Sequence, residues 1–571
     1  MKAKRKIWSY FLILALAAYI IKNLFVGADA DEGYAIVVGY RLAMGDRLLL
    51  EMWEPHQTSA IFTAMFLKPF LWIGGGNLDF LNLYLRVAYF VIHGLITWLV
   101  YHTIRKCIPK VDQKSALGVA LVYFVSSPKS IYVPEYSNLN VWFFALMCIS
   151  FLWYYSETSS LRGKLILLVA AGVALTCDVL AYPSMVILFP FCFCFLAWKR
   201  QGKGWKQCLA FTVPCVFSAT ALIGYILSYM SFEQILQVIP HIMSDGSHQT
   251  GIWEKIMVWF ASFGNIAVIL LVSALAALIG AKLFCIFHKR RRPEAEQEPF
   301  GIYFLIAFFI IQIVFQFYFW FGNFYNAAYP QLTYLAIALA GIYCYYKSGK
   351  KEKAGFYIIL ISLIQYVGVI LLSNWKPMEV IAYLVVGAVG GLLCWNAYFE
   401  EHSVKWKEHI LPVLCRILVI SNVFGYCYLI IGGTASHSPI WEVRGYNHDG
   451  FRKGILTSYM ASYRYNMNDE IWEEAVPDGS TLLYVGPSQF FSMLGECTIA
   501  CPNTISTPIY DENLLAYWKL NPDRYPDVVA VESWFGEIRY VDQDSFIMKW
   551  IEEEFCATEI IEYPYITVYK R

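Results

Sequence analysis

A chain of 571 residues that is 58% hydrophobic and only 15% charged is built for lipid, because soluble domains are roughly half apolar and about a quarter charged. Its net charge of +1 is spread over segregated clusters, with no polybasic tail or acidic block, which argues against nucleic acid as a partner. Mean hydropathy is +0.49.

The first apolar run, Ile7 to Val26, follows Lys2, Lys4, Arg5 and Lys6. It is too long for a signal-peptide core and shows no cleavage site, so it is predicted to remain as an anchor. Spanning helices need about 20 mainly apolar residues, and short cytoplasmic loops collect Lys and Arg. Basic loops fall at 2–6, 105–114, 162–164, 199–206, 289–292, 347–353 and 405–407. Between consecutive ones there is room for two spans, with turns near 132–138, 178–183, 234–255, 322–327 and 374–379 on the far side. The scheme gives about thirteen spans, a cytoplasmic N-terminus and an extracytoplasmic chain beyond about Gly432. Ser59 to Ile73 is apolar but short, and holds Lys68 and Pro69. Counting it as a span would invert every later loop, so it is predicted to be an interfacial or re-entrant helix.

The predicted fold class is thus a polytopic α-helical membrane protein, with a membrane part over 1–432 and a C-terminal α/β domain over 433–571. In the latter, Thr481–Val485, Val528–Val531 and Ile566–Tyr569 read as strands, and Glu470–Ala475 and Asp544–Phe555 as helices, punctuated by Asp-Gly and Pro turns. Most of the 15 cysteines lie in apolar runs as small buried hydrophobes. Cys497, Cys501 and Cys556 lie in the polar region, where an oxidising compartment could pair two of them. No repeat of fixed period is present, which weighs against a transporter of inverted repeats.

The loop from 27 to 84 concentrates the chemistry. Asp29, Asp31 and Glu32 follow the first span directly, then Tyr34, Gly45-Asp46 and Glu51-Met52-Trp53-Glu54-Pro55-His56. Carboxylates at a membrane surface are costly without water or a partner. A plain helix cap at Asp29 or Asp31 accounts for one of them; the second acidic-aromatic cluster, beside a short interfacial helix, calls for a reactive site.

This order resembles the GT-C glycosyltransferases, in the branch holding protein O-mannosyltransferases and lipid A aminoarabinose transferases. The matching features are an acidic pair after the first span, Tyr34, Gly45-Asp46, Glu54-Pro55 before a short apolar helix, and Arg86 opening the next span. The likeness is good to about Phe144 and looser beyond; Pro508-Ile509-Tyr510 and Pro526-Asp527-Val528-Val529 look like the tail of bacterial members. The resemblance implies a transferase using a polyprenyl-phosphate sugar donor on the extracytoplasmic face, with a glycan, lipid or protein acceptor. It places Asp31 on the catalytic carboxylate, Glu32 beside it and Glu54 on the second acidic position. Glu135 and Asn138 approximate the polar positions of the second outer loop. The family often reads Glu-Lys-Pro-Pro where this chain has Glu54-Pro55-His56, so the cation is replaced by His56 or absent.

The implied chemistry is attack by an acceptor hydroxyl on the anomeric carbon through an oxocarbenium-like state. Asp31 acts as general base, and cations assist the leaving phosphate. Candidate cations are His56, Arg86, Lys129 and His248; the alternative readings are snorkelling at a helix end for Arg86 and rim charge for Lys129. Trp53, Tyr132 and Tyr136 could stack on sugar, or belong to an interfacial belt. Asp245 and His248 are two candidate metal ligands in one loop, a weak set more simply read as a turn. No cofactor is expected, with a divalent cation left open. Asp178, before Tyr182-Pro183, is a further carboxylate near a span end. The rival readings are a transporter or flippase and an O-antigen polymerase or ligase.

Overall fold

The computed structural model describes residues 2–27, 30–108, 111–128, 131–155, 161–198, 204–243, 252–291, 300–322, 332–372, 375–402, 410–432, 442–486, 488–504, 511–532, 534–535, 538–539, 541–542 and 544–571. Among the described residues the membrane part holds α1 (Lys2–Phe25), α2 (Ala30–Met44), α3 (Ala60–Gly74), α4 (Leu81–Cys107), α5 (Gln113–Phe124), α6 (Tyr136–Tyr155), α7 (Leu161–Ala181), α8 (Leu188–Trp198), α9 (Trp205–Leu227), α10 (Phe232–Met243), α11 (Ile252–Arg291), α12 (Phe300–Gly322), α13 (Leu332–Lys347), α14 (Lys353–Leu372), α15 (Val385–His402) and α16 (Ile410–Gly432).

Among the described residues, eight helical segments are long and apolar enough to cross a membrane, and the protein is a multi-pass membrane protein. They are Leu81–Cys107, Tyr136–Tyr155, Arg162–Ala181, Trp205–Leu227, Trp253–Arg290, Phe300–Tyr318, Lys353–Leu371 and Pro377–His402. The remaining expected spans are helical but shorter over their described side chains, as at Tyr10–Phe25, Pro183–Ala197 and Ile410–Gly425. α15 is almost wholly buried, and its glycines let its neighbours approach. A Cβ on Gly391 would meet the Ile337 carbonyl oxygen at 2.6 Å, and one on Gly390 the Gly355 oxygen at 2.6 Å. Small residues at helix interfaces serve this close packing in lipid, where apolar burial offers no drive for association.

α3 occupies the segment expected as an interfacial helix. It ends at Gly75, whose φ of 61° is the left-handed C-cap that glycine supplies without a Cβ clash. Ala60, Thr63, Ala64 and Leu67 face the protein, whereas Met65, Trp72 and Ile73 are exposed apolar residues. α10 has the same character: Val238 is buried while Phe232, Leu236 and Ile239 are exposed. Both fit a helix lying in an interface.

The C-terminal part is a three-layer α/β unit. A hairpin of β1 (Val443–Tyr446) and β2 (Leu456–Ser458) leads into α17 (Tyr459–Ala475). Next come β3 (Thr481–Val485), β4 (Thr498–Ile499), α18 (Asp511–Leu520), β5 (Val528–Glu532), the short pair β6 (Trp534–Phe535) and β7 (Ile538–Arg539), α19 (Phe546–Trp550), β8 (Glu559–Glu562) and β9 (Ile566–Lys570). The main sheet runs β4-β3-β5-β9-β8, with β3 parallel to β4 and β5, and β9 antiparallel to β5 and β8. Strand alternation splits the core. Leu482, Tyr484, Val528 and Ala530 pack on α17, and Leu483, Val485, Val529 and Val531 on α18 and α19. The expected strands coincide with β3, β5 and β9. Cys497, Cys501 and Cys556 are free thiols; Cys497 Sγ donates to the Ser492 oxygen and Cys501 Sγ to that of Asn503.

Candidate functional site

The first loop is gripped from both sides. α2 and α3 touch at Gly39, where a Cβ would fall 2.6 Å from Thr63 Cγ2. Two residues on, Arg41 is buried and its guanidinium is spent on the loop and on the C-terminal domain. Its Nε donates to Asp46 Oδ2 at 2.8 Å, Nη2 to the oxygens of Glu51 and Cys501 at 2.5 and 2.9 Å, and Nη1 to Pro502 O at 3.3 Å. Glu54 lies 3.5 Å from Nη1. Burial opposes this charge, yet Asp46 and Glu54 prevail and hold the Arg41 pKa above the usual arginine range. Asp46 also receives Arg524 from the C-terminal domain at 2.9 Å. Leu49 sits at φ 64°, an uncommon conformation for a branched residue, and its N–H is held by Gln57 Oε1 at 2.7 Å.

Glu54 is the best-built carboxylate of the loop. It is buried, and its Oε1 accepts from the Thr504 N–H at 2.7 Å and the Thr504 hydroxyl at 2.6 Å. Its Oε2 is buried and accepts from no described residue. Two positions on, the His56 imidazole stacks on Tyr136 at 4.2 Å, with planes 4° apart, and leans on Tyr182 at 4.7 Å. Thr58 Oγ1 then bonds Leu180 O at 2.6 Å, fastening the turn to the end of α7. Trp53 is buried beneath the C-terminal domain, stacked on His241 and edge-on to Tyr517.

Glu32 forms a buried fork with Arg86, Nε to Oε1 at 2.7 Å and Nη2 to Oε2 at 2.6 Å, with Asn82 adding a third donor at 3.2 Å. Arg86 also reaches the oxygens of Leu24 and Gly27, so the pair pins the end of α1 to the start of α2. Beside it lies Arg452, from the β1–β2 turn, with its guanidinium over the rings of Tyr465, Phe490 and Phe451 at 3.5, 4.4 and 5.1 Å. Its Nε and Nη1 are buried and donate to no described residue. Burial lowers its pKa to about 9, with Glu32 opposing and Arg86 adding to the descent; it is therefore still a cation at neutral pH.

The structure thus brings Glu32 and Arg86 together, and Glu54 with Trp53 and His56 at the seam with the C-terminal domain. Tyr34 is partly buried beside Val38 and Leu48. Glu135 caps α6, accepting from the N–H groups of Ser137 and Asn138 at 2.9 and 2.7 Å, and Asn138 turns its amide to the oxygens of Ile131 and Val133. Asp29, Lys129, Asp245 and His248 lie outside the described residues, as does the side chain of Asp31, whose backbone occupies the first turn of α2. Sequence reasoning missed Arg41, Thr504 and Arg452. Only Arg452 left a local mark, an Asp449-Gly450 turn before an aromatic-basic pair.

No family model and no curated protein matches this chain. Among solved structures it is similar to ArnT from Cupriavidus metallidurans in the apo state, at 11% identity and TM-score 0.38, covering 99% of this chain and 98% of that one. A second structure of that protein, bound to undecaprenyl phosphate, is similar at 11% identity and TM-score 0.39, covering 98% and 97%. The chain is also similar to the archaeal oligosaccharyltransferase AglB from Archaeoglobus fulgidus, in complex with an inhibitory peptide and a dolichol-phosphate, at 11% identity and TM-score 0.40, over 93% of this chain and 70% of that one.

Proposed function

We propose that this protein is a membrane glycosyltransferase that moves a sugar from a polyprenyl-phosphate carrier to an acceptor hydroxyl on the extracytoplasmic face, with inversion. The observation that supports it most directly is the Glu54-Pro55-His56 turn. A buried carboxylate with one oxygen held and the other accepting from no described residue lies two residues from an imidazole seated on two tyrosines, where the helix bundle meets the C-terminal domain. A lipid-linked phosphosugar is presented at that depth, and the first-loop pattern resembles the GT-C transferases.

In this reading Asp31 takes the acceptor proton as the acceptor oxygen bonds to the anomeric carbon. The carbon–oxygen bond to phosphate breaks, and its electron pair leaves with the carrier. Glu32, committed to Arg86, fixes the first turn of α2 and so aims Asp31. Glu54 is the second carboxylate facing the ring, and Arg452 and the His56 imidazole face departing phosphate, in place of the lysine of the Glu-Lys-Pro-Pro pattern.

The test is release of polyprenyl phosphate from a panel of polyprenyl-phosphate sugars by membranes holding equal amounts of wild type or Asp31→Asn. Loss of about 10²–10⁴-fold in the variant supports the base. Equal release by both would move that role to Glu54, and no wild-type release from any donor would overturn the transferase reading.

A further inference from the structure

The C-terminal domain meets the end of α1 through its first hairpin. The Gly27 N–H bonds the Leu456 carbonyl oxygen at 2.9 Å, and Val26 pairs with Leu456 in an isolated bridge. α1 arrives there with an outward apolar face, on which Tyr10, Leu14, Ile21 and Phe25 are all exposed. Such a face on a membrane protein is covered by lipid. Leu456 therefore sits where this apolar surface ends and the chain passes into Asp29-Ala30-Asp31-Glu32.

Beyond this junction the surface stays apolar. Leu456 lies opposite Tyr446 across the hairpin, and both are exposed. Three residues on, α17 opens with Tyr459, Met460 and Tyr463, which are 65, 69 and 48% exposed. The two tyrosine rings stack at 6.4 Å, and Ser458 holds the first turn by accepting from the Ala461 N–H at 3.2 Å. Three residues of chain reach at most about 10 Å, and a headgroup layer is about 5–8 Å deep. The start of α17 thus lies within reach of that layer. The outward stripe of the helix then changes character. It reads Tyr459, Tyr463, Asn466, Glu470 and Glu473, each exposed, over about 21 Å of helix axis. Aromatics at one end and carboxylates at the other suit a helix that meets an interface by its first turns and leaves its last turns in water. A protein partner would require neither this gradient nor the continuity with α1.

We propose that Leu456, Tyr459, Met460 and Tyr463, with Tyr446 beside them, form a membrane-docking patch that seats the C-terminal domain in the lipid headgroup layer next to α1. A tyrosine suits that layer because its ring packs on acyl chain while its hydroxyl stays wet. Methionine, unbranched and flexible, fills the irregular space between lipid chains. The same hairpin carries Phe451, whose carbonyl oxygen accepts from the Asn82 N–H of α4 at 2.8 Å. Contact with lipid therefore steadies the hairpin on the membrane part from a second side. The patch does not depend on which reaction the protein performs.

Full-length protein with the photoreactive residue p-benzoyl-phenylalanine in place of Met460 is reconstituted into phosphatidylcholine vesicles and irradiated. Phospholipid adducts are then counted by mass spectrometry of the intact chain. The same replacement at Ile21 on α1 and at Glu473 on α17 supplies the lipid-facing and water-facing references. Adducts at 460 should come within about threefold of those at 21 and exceed those at 473 by about tenfold. If the 460 variant does not fold, the replacement at Tyr463 is read in the same way. Adducts at 460 no more frequent than at 473 would overturn the patch. So would crosslinks from 460 to a second copy of this chain in place of lipid, which would make the surface a protein interface.

Discussion

Glu32 and Arg86 show how far a residue's neighbours decide its use. A carboxylate next to the candidate base could have been a second reactive group, but its two oxygens are filled by a guanidinium fork and by Asn82. Both partners are nearly excluded from water, with side-chain exposures of 4% and 2%. Removing one partner of a buried pair leaves a bare charge and typically costs about 3–5 kcal/mol, whereas replacing both with apolar groups is far less damaging. Glu32→Gln should therefore destabilise the protein by about that amount, and Glu32→Leu with Arg86→Met by much less than the two single changes summed. Thermal unfolding in detergent would measure the cycle, and additive losses would show that the pair is not coupled. Asp469, on α17, supplies a pH signature. Burial, aided by Glu473 and Asp449, raises its pKa from 3.8 to about 6. A carboxyl with a raised folded pKa holds its proton longer in the folded state. Its contribution is therefore full below about pH 4 and is lost as pH rises through 6. Asp469→Asn should flatten the dependence of melting temperature on pH between about 4 and 6 and leave the melting point higher at pH 7. A wild-type profile already flat across that window would contradict this.

At the scale of elements, local pattern was the part that sequence could carry. A short helix over this segment was readable because length, Lys68 and Pro69 all spoke against a span, and α3 is a 15-residue helix there. β3, β5 and β9 were readable because β-branched and aromatic runs end at turn residues. The seam between first loop and C-terminal domain was not. Arg41 reaches Cys501 and Pro502 across 460 and 461 residues, and Glu54 meets Thr504 across 450. Such contacts leave no periodic trace in either segment. An arginine in the last turn of an apolar helix reads as a surface charge until its partners are in place. Arg41→Met should then act on two elements together. Among the described residues it leaves Asp46 with Arg524 and Glu54 with Thr504, while the loop loses its bonds to the 501–502 backbone. The expected result is faster proteolytic cutting between 45 and 57 together with loss of carrier release, and Arg41→Lys should rescue neither fully because the fork is lost. Cutting at the wild-type rate would show that the loop is held by its own turns.

The whole molecule is organised around that seam. One face of the C-terminal sheet shares its apolar cluster with Leu50 and Trp53 of the first loop, with Ile226 of α9 and Val238 of α10, and with Met230 between those helices. Toward the hairpin side, Phe451, Phe490 and Met493 close over α2, α3 and α4. Backbone bonds continue the join, from Gly27 N–H to Leu456 O at 2.9 Å and from Asn82 N–H to Phe451 O at 2.8 Å, and Asp79 meets Lys453 at 2.7 Å. A domain attached along two sides in this way has part of its core in the membrane part, so its fold and the geometry of the loop should unfold as one unit. The domain boundary visible in composition, near residue 433, is thus a boundary of environment more than of stability. Residues 442–571 produced alone should expose the apolar patch that Trp53, Ile226, Met230 and Val238 cover, and so bind a hydrophobic dye and self-associate. In the full chain, Trp53→Ala should lower the unfolding temperature of both parts in a single transition, because burying a tryptophan contributes about 3–5 kcal/mol to whichever unit contains it. Two separate transitions, with only one of them moved, would show that the C-terminal domain is an independent body resting on the loop rather than built around it.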